Sequence, residues 1–278
     1  MTVDRWKRLC TILVFVSGPL AAQPSSTGGP PRGSLVLQGG VGLSHAIDSA
    51  FVALAGGPAS RIVVIPTASV GDAGPAGMAT FLARRMKESF GVASVTVLHS
   101  LARATSDSDD FDEPLRRASG VWILGGFPER LVQSYVGTRT ERAIRELLGR
   151  GGVVGGESAG AMIQASWLDT TDAEFTSDIR AVIRTQDRAG FGLLTHAGIF
   201  PHFDKRGSGA AVKESAAHPD QLAIGIDEGT ALIVTGDRAE VVGLGTVSVY
   251  DGRRRGASSV IVLRPGDRYD LAARRKAP

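Results

Sequence analysis

A single cysteine, Cys10, is all the thiol in this 278-residue chain, and it stands inside an apolar N-terminal run. If that run is removed as a leader, no thiol remains. A disulfide framework, a cysteine-ligated zinc site and thiol catalysis are then all excluded. Long hydrophobic runs are also missing: the stretch from Leu9 to Val16 is too short to span a bilayer as a helix, and no later segment is long enough. Charge of one sign is not in excess either. Of the formal charge of +3, Asp4, Arg5, Lys7 and Arg8 carry most, so the rest of the chain is nearly neutral and lacks the footprint of a nucleic-acid binder. The five histidines show no paired helical spacing, which argues against a metal site. Gln38-Gly-Gly-Val-Gly-Leu-Ser44 follows a strand-like run but lacks the third glycine of a dinucleotide-binding loop.

What is present is an ordinary globular composition, 43% hydrophobic and 21% charged, at a length that suits one large domain. Arg5, Lys7 and Arg8, then the apolar run, then Ser17, Gly18, Pro19, Ala21 and Ala22, form a secretory signal peptide over residues 1–22. It predicts a secreted or periplasmic protein with no stable membrane anchor after cleavage. Residues 23–33 are rich in Ser, Gly and Pro and read as a flexible linker. The single domain is expected over residues 34–278.

Short runs of branched apolar residues at 35–37, 62–65, 95–98, 121–124 and 152–155 are bounded by glycine or polar turns, the pattern of strands buried on both faces. Helical periodicity separates them at 43–54, 77–90 and 140–148. The alternation predicts an α/β fold, a mostly parallel sheet with helices on both faces, whose site lies at the carboxyl ends of the strands. The loops after Leu37, Leu124 and Val154 are therefore the places to search. Further strand-like pieces at 222–226, 230–234, 239–244, 246–250 and 259–263 either complete that sheet or form a small β extension. The polar segment 169–188 reads as a surface loop.

Gly152-Val-Val-Gly-Gly-Glu-Ser-Ala-Gly-Ala-Met162 places Ser158 in a G-x-S-x-G context between a buried strand and a helix-compatible run. This is the pattern of a nucleophile elbow. Gly156 and Gly160 permit the crowded turn, and the amide of Ala159 becomes a natural oxyanion donor. A second donor is expected from Gly125-Gly126, specifically Gly126. A serine hydroxyl needs a base, and the base needs a carboxylate. His45, His99 and His218 read as solvated or capping residues. His202 is preferred, because it follows a hydrophobic segment ending in Pro201 and precedes the charged turn Asp204-Lys205-Arg206; His196 is the reserve. Asp227-Glu228 supplies two adjacent acids at a strand end, with a plain β-turn as the alternative.

These residues resemble the cyanophycinase-like serine peptidases, a family that also includes α-aspartyl dipeptidases. The likeness runs from Leu35 to Val234. It rests on Gly125-Gly126, the G-x-S-A-G-A elbow at Ser158, His202-Phe203 followed by Arg206-Gly207, and the Gly-Ile-Asp-Glu-x-Thr-Ala-Leu segment ending at Leu232. The resemblance implies a flavodoxin-like, class I glutamine amidotransferase-like fold and a Ser/His/Glu triad of Ser158, His202 and Glu228. It also implies cleavage of a peptide or isopeptide bond beside an aspartyl residue, no cofactor, Arg206 and Phe127 at the substrate, and a homodimer. The chain departs from cyanophycinases where they carry polar and basic residues: Phe200 and Pro201 replace an Asp-Gln pair, Phe127 and Pro128 replace a polar loop, and Ser208 and Ala211 stand where further arginines would. Cyanophycin itself is therefore not the expected substrate. Two other readings stay open: an α/β-hydrolase esterase, disfavoured because the best acid follows the best histidine, and a catalytically silent binding protein on the same scaffold.

Overall fold

The computed structural model describes residues 28–40, 44–71, 77–168, 190–254 and 259–278. The predicted leader and the polar segment 169–188 lie outside them. Within the glycine- and proline-rich segment, Gly28 forms a bridge with Thr195 and the Gly29 N–H donates to the Gly236 carbonyl at 3.0 Å. The described chain thus packs back to Gly28, ahead of the expected domain start at Ser34.

Five parallel strands form the centre: β1 (Ser34–Gln38), β2 (Arg61–Ile65), β3 (Ser94–Val97), β4 (Gly120–Ile123) and β5 (Val153–Glu157), side by side in the order β1-β5-β4-β2-β3. Because successive strand residues point to opposite faces, each apolar run feeds two cores. Val36, Val64, Trp122 and Val153 meet α1 (His45–Leu54) and α2 (Met78–Phe90) on one face. On the other face Leu35, Leu37, Val63, Ile65, Val121, Ile123 and Val154 meet Leu115, Leu131, Ile144 and Leu147. Those last four come from α4 (Asp109–Arg117), α5 (Pro128–Tyr135) and α6 (Arg139–Gly149), which follow the one-turn α3 (Arg103–Ser106).

After β5 the chain makes only one helical turn, α7 (Ala159–Met162), and then enters a second sheet of β6 (Ala165–Trp167), β7 (Leu194–Phe200) and β8 (Leu222–Ile226), all parallel. Between β7 and β8 lie α8 (Phe203–Arg206) and α9 (Gly209–Ala217). β9 (Thr230–Thr235) returns to the main sheet antiparallel to β1, and β10 (Arg238–Gly243) pairs antiparallel with β9. β11 (Val247–Asp251) and β12 (Val260–Leu263) extend the second sheet, and β13 (Arg268–Asp270) and β14 (Arg275–Ala277) close the edge of the first. The α/β expectation with added C-terminal strands holds. Those strands divide between the two outcomes left open, some joining the main sheet and some building a second one. Leu194, Ile199, Leu222 and Ile224 of the second sheet share the core of the α4–α6 face, so the two sheets are packed as one body.

Candidate active site

The site forms where three glycine-bearing strand ends of the main sheet meet two strand ends of the second. Ser158 follows β5 with φ 51° and ψ −116°, a region that only an over-determined turn holds for a residue with a side chain. The over-determination is visible in its flanking glycines. A β-carbon at Gly156 would stand 2.5 Å from the Gly160 carbonyl oxygen, and one at Gly160 would collide with the carbonyl of Ile123. The Ser158 N–H donates to the Gln38 carbonyl at 3.0 Å, and the Ser158 carbonyl accepts from Ala161 and Met162 at 3.0 Å. Ala159 is the first residue of α7, so its N–H is one that the helix itself cannot satisfy.

His202 and Glu228 arrive from parallel neighbours. β7 and β8 pair with Phe200 opposite Gly225, and each chain continues briefly past its strand before the functional residue. His202 occupies the left-handed region (φ 52°, ψ 38°) as it enters α8. Its N–H donates to the Gly39 carbonyl at 2.7 Å, while the Gly229 N–H donates to the Gly40 carbonyl at 3.2 Å. The loop after β1 thereby ties both acid and base loops to the main sheet. His202 Nε2 stands 2.9 Å from Ser158 Oγ, and Nδ1 stands 2.9 Å from Glu228 Oε1. In this geometry a hydroxyl proton can pass to Nε2 while the carboxylate fixes the tautomer with its proton on Nδ1.

The adjacent acids divide the work. Glu228 faces His202, whereas Asp227 Oδ2 accepts the N–H and hydroxyl of Thr246, both at 2.8 Å. Asp204 Oδ1 accepts the Glu228 N–H at 3.0 Å, and this bond is the main cause holding the Asp204 carboxyl below its ordinary range. Glu157, just before the serine, is pushed up by burial, reinforced by Asp48 and opposed by the backbone bond from Gly125 and by His202.

Of the other predicted residues, Gly125 lies against the nucleophile, since a β-carbon there would be 3.1 Å from Ser158 Cβ. Gly126 turns at φ 130° against Ala68. Phe127 is 45% exposed with the Arg130 guanidinium 4.6 Å over its ring. Arg206 is exposed at the end of α8, its N–H donating to the His202 carbonyl at 2.9 Å. His196 lies within β7, and the bond to Ser158 comes from His202 instead. His45 pairs with Ser49 on α1, His218 with Glu214, and His99 with Thr67 and Gly71. Sequence reasoning missed the part played by Gly39-Gly40. Its signal was a glycine pair directly after a buried strand, in a loop already marked for search.

The model of peptidase family S51 matches residues 35–242. The cyanophycinase of Geminocystis herdmanii is 30% identical over 206 residues, covering 72% of this chain and 72% of that protein. The cyanophycinase of a Nostoc species is 31% identical over 206 residues, covering 72% and 66%. Among solved structures, a peptidase from an acI-B1 Actinobacterium superposes with a TM-score of 0.69 at 26% identity, covering 87% of this chain and 98% of that one. A putative peptidase E of Listeria monocytogenes shares the fold with a TM-score of 0.51 at 18% identity, covering 77% and 100%. Fold and relatives together define a serine peptidase. The chain belongs to peptidase family S51.

Proposed function

We propose that this protein is a secreted or periplasmic serine peptidase that cleaves a peptide or isopeptide bond beside an aspartyl residue through an acyl-enzyme on Ser158. The observation that carries this reading is the unbroken relay from Ser158 Oγ through His202 to Glu228, 2.9 Å at each step. His202 Nε2 takes the hydroxyl proton as Oγ attacks the scissile carbonyl, and Glu228 stabilises the imidazolium that results. The N–H groups of Ala159 and Gly126 receive the developing oxyanion. Collapse breaks the C–N bond, and His202 gives its proton to the leaving amine. Water, deprotonated by the same imidazole, then attacks the ester carbonyl and releases the acid, returning the proton to Ser158.

Arg206, one helical turn beyond His202, is the cation we assign to the substrate's free carboxylate, with Phe127 as an apolar contact. The apolar Phe127-Pro128 and Phe200-Pro201 pairs favour a small aspartyl peptide over the aspartyl-arginine polymer. The basic, apolar and small-residue succession of residues 1–22 supports export, and the family resemblance supports a homodimer.

The test is to incubate the protein and a Ser158→Ala variant with a fluorophosphonate probe, then with α- and β-linked aspartyl peptides, cyanophycin and short-chain esters. Labelling and aspartyl-peptide cleavage lost in the variant support the proposal. Cleavage of esters alone points to an esterase, and neither labelling nor cleavage points to a binding protein. N-terminal sequencing of exported material and light scattering check export and dimerisation.

A further inference from the structure

The loop that supplies the second oxyanion donor is held by a side chain outside the relay. The Ser69 hydroxyl donates to the Gly125 carbonyl. The Phe127 N–H is taken by the Ala68 carbonyl at 3.0 Å. No peptide bond in the described structure is cis. In a trans peptide the carbonyl of one residue and the N–H of the next point in opposite directions, so a bond to the Gly125 carbonyl sets the direction of the Gly126 N–H.

We infer that Ser69 is a positioning residue that locks the Gly125-Gly126 peptide so that the Gly126 N–H is aimed as the second oxyanion donor. This rests on the serine-peptidase reading above. The lock is needed because two successive glycines leave a peptide free to flip, and an oxyanion donor works only if it is aimed before the charge develops. Ser69 holds this peptide from the loop after β2. Gly125 is also confined by the end of β5, since its β-carbon would sit 3.1 Å from Ser158 Cβ and 3.6 Å from Glu157 Cγ. On the far side a β-carbon at Gly126 would stand 2.6 Å from the Ala68 carbonyl carbon. The glycine is therefore tightly seated as well as free of strain at φ 130°.

The experiment compares the parent protein with Ser69→Ala and Ser69→Thr. It measures the second-order rate of fluorophosphonate labelling, whose tetrahedral adduct fills the oxyanion site, together with kcat and KM on p-nitrophenyl acetate and the Tm of each protein. Ser69→Ala is expected to label about 10–100-fold more slowly, with kcat reduced and KM nearly unchanged. Ser69→Thr, which keeps the hydroxyl donor, should stay within about threefold of the parent in the same comparison. Unchanged labelling in Ser69→Ala, or an equal loss in Ser69→Thr and Ser69→Ala, overturns the inference while the serine-peptidase reading stands. Failure of the parent protein to label at all removes that reading and this inference together.

Discussion

His202 rests its imidazole on the α-carbon of Gly40: a β-carbon there would fall 2.5 Å from Nδ1 and 2.8 Å from Nε2. The contact is made by backbone against a ring already held at both nitrogens, by Glu228 and Ser158. It leaves the ring no direction in which to yield. Gly40 also has φ 138°, which an alanine would adopt only at a cost.

Gly40→Ala should therefore displace His202 and lower kcat/KM by about 100-fold or more, since a shift of about 1 Å in a catalytic group costs that much. Steady-state kinetics check this, with circular dichroism confirming that the fold survives. Near-parental activity would mean that the ring is held less tightly than these contacts require.

Glu228→Gln keeps a side chain of the same shape but removes the charge that stabilises the imidazolium, and its amide can present an N–H to Nδ1 and select the wrong tautomer. The expected loss in kcat is about 10³–10⁴-fold with little change in KM. Asp227→Asn, which loosens only the Thr246 turn, should cost far less. A comparable loss in the two variants would show that the pair acts as a structural turn.

The parallel strands and the elbow were legible because each depends on local pattern. Branched apolar runs marked β1 to β5, and Gly156 and Gly160 around Ser158 marked the turn. The helices α4 and α5 went unread: α4 is almost wholly polar and contains Pro114. Its sequence cues were acids in the first turn and Arg116 and Arg117 in the last, with Pro128 opening α5. The division of the C-terminal strands between two sheets was not readable, because β8 and β9 are separated by one short turn yet belong to different sheets. Only long-range pairing decides that. The choice of His202 over His196 and of Glu228 over Asp227 followed from strand-end position and from the resemblance. The geometry brings His202 and Glu228 to Ser158, while Ser69, which holds the Gly125 carbonyl, offered nothing but its neighbourhood in the finished fold.

Asp48 makes stability depend on pH in a direction opposite to the usual acid unfolding. It is 7% exposed on α1, Ser89 Oγ donates to its Oδ2 at 3.2 Å, and Oδ1 has no partner among the described residues. Burial raises its pKa against the lowering effects of Ser89 and His45. The folded state thus holds the proton more tightly than the unfolded chain. Stability is greatest below the ordinary aspartate range and is lost as pH rises through the raised value. Asp48→Asn should remove that loss, raising Tm by about 2–4 °C at pH 7 with no gain near pH 3. Thermal melts across pH check it; a drop in Tm at neutral pH would show that the carboxylate has a partner worth more than its burial costs.

Arg274 and Asp251 join the two sheets. Arg274 stands between β13 and β14 of the main sheet, Asp251 at the end of β11 in the second, with Nη1 to Oδ1 at 2.9 Å and both residues 5% exposed. Arg274 also donates to the carbonyls of Pro219 and Asp220, and Arg254 lies 3.5 Å from Asp251 Oδ2. Replacing both charges by neutral groups of similar size costs little in principle, but removing one leaves the other buried with its nearest partner gone. Arg274→Met leaves Asp251 facing Arg254 at 3.5 Å and should destabilise by about 3 kcal/mol. Asp251→Asn combined with Arg274→Met should recover part of that, by an interaction energy of about 1 kcal/mol or more. Because the second sheet carries His202 and Glu228, the single variant should also lose activity at a lower temperature than the parent, in step with its Tm. Denaturant unfolding of both singles and the double closes the cycle. Strict additivity would show that the two residues stabilise the sheets independently rather than as a pair.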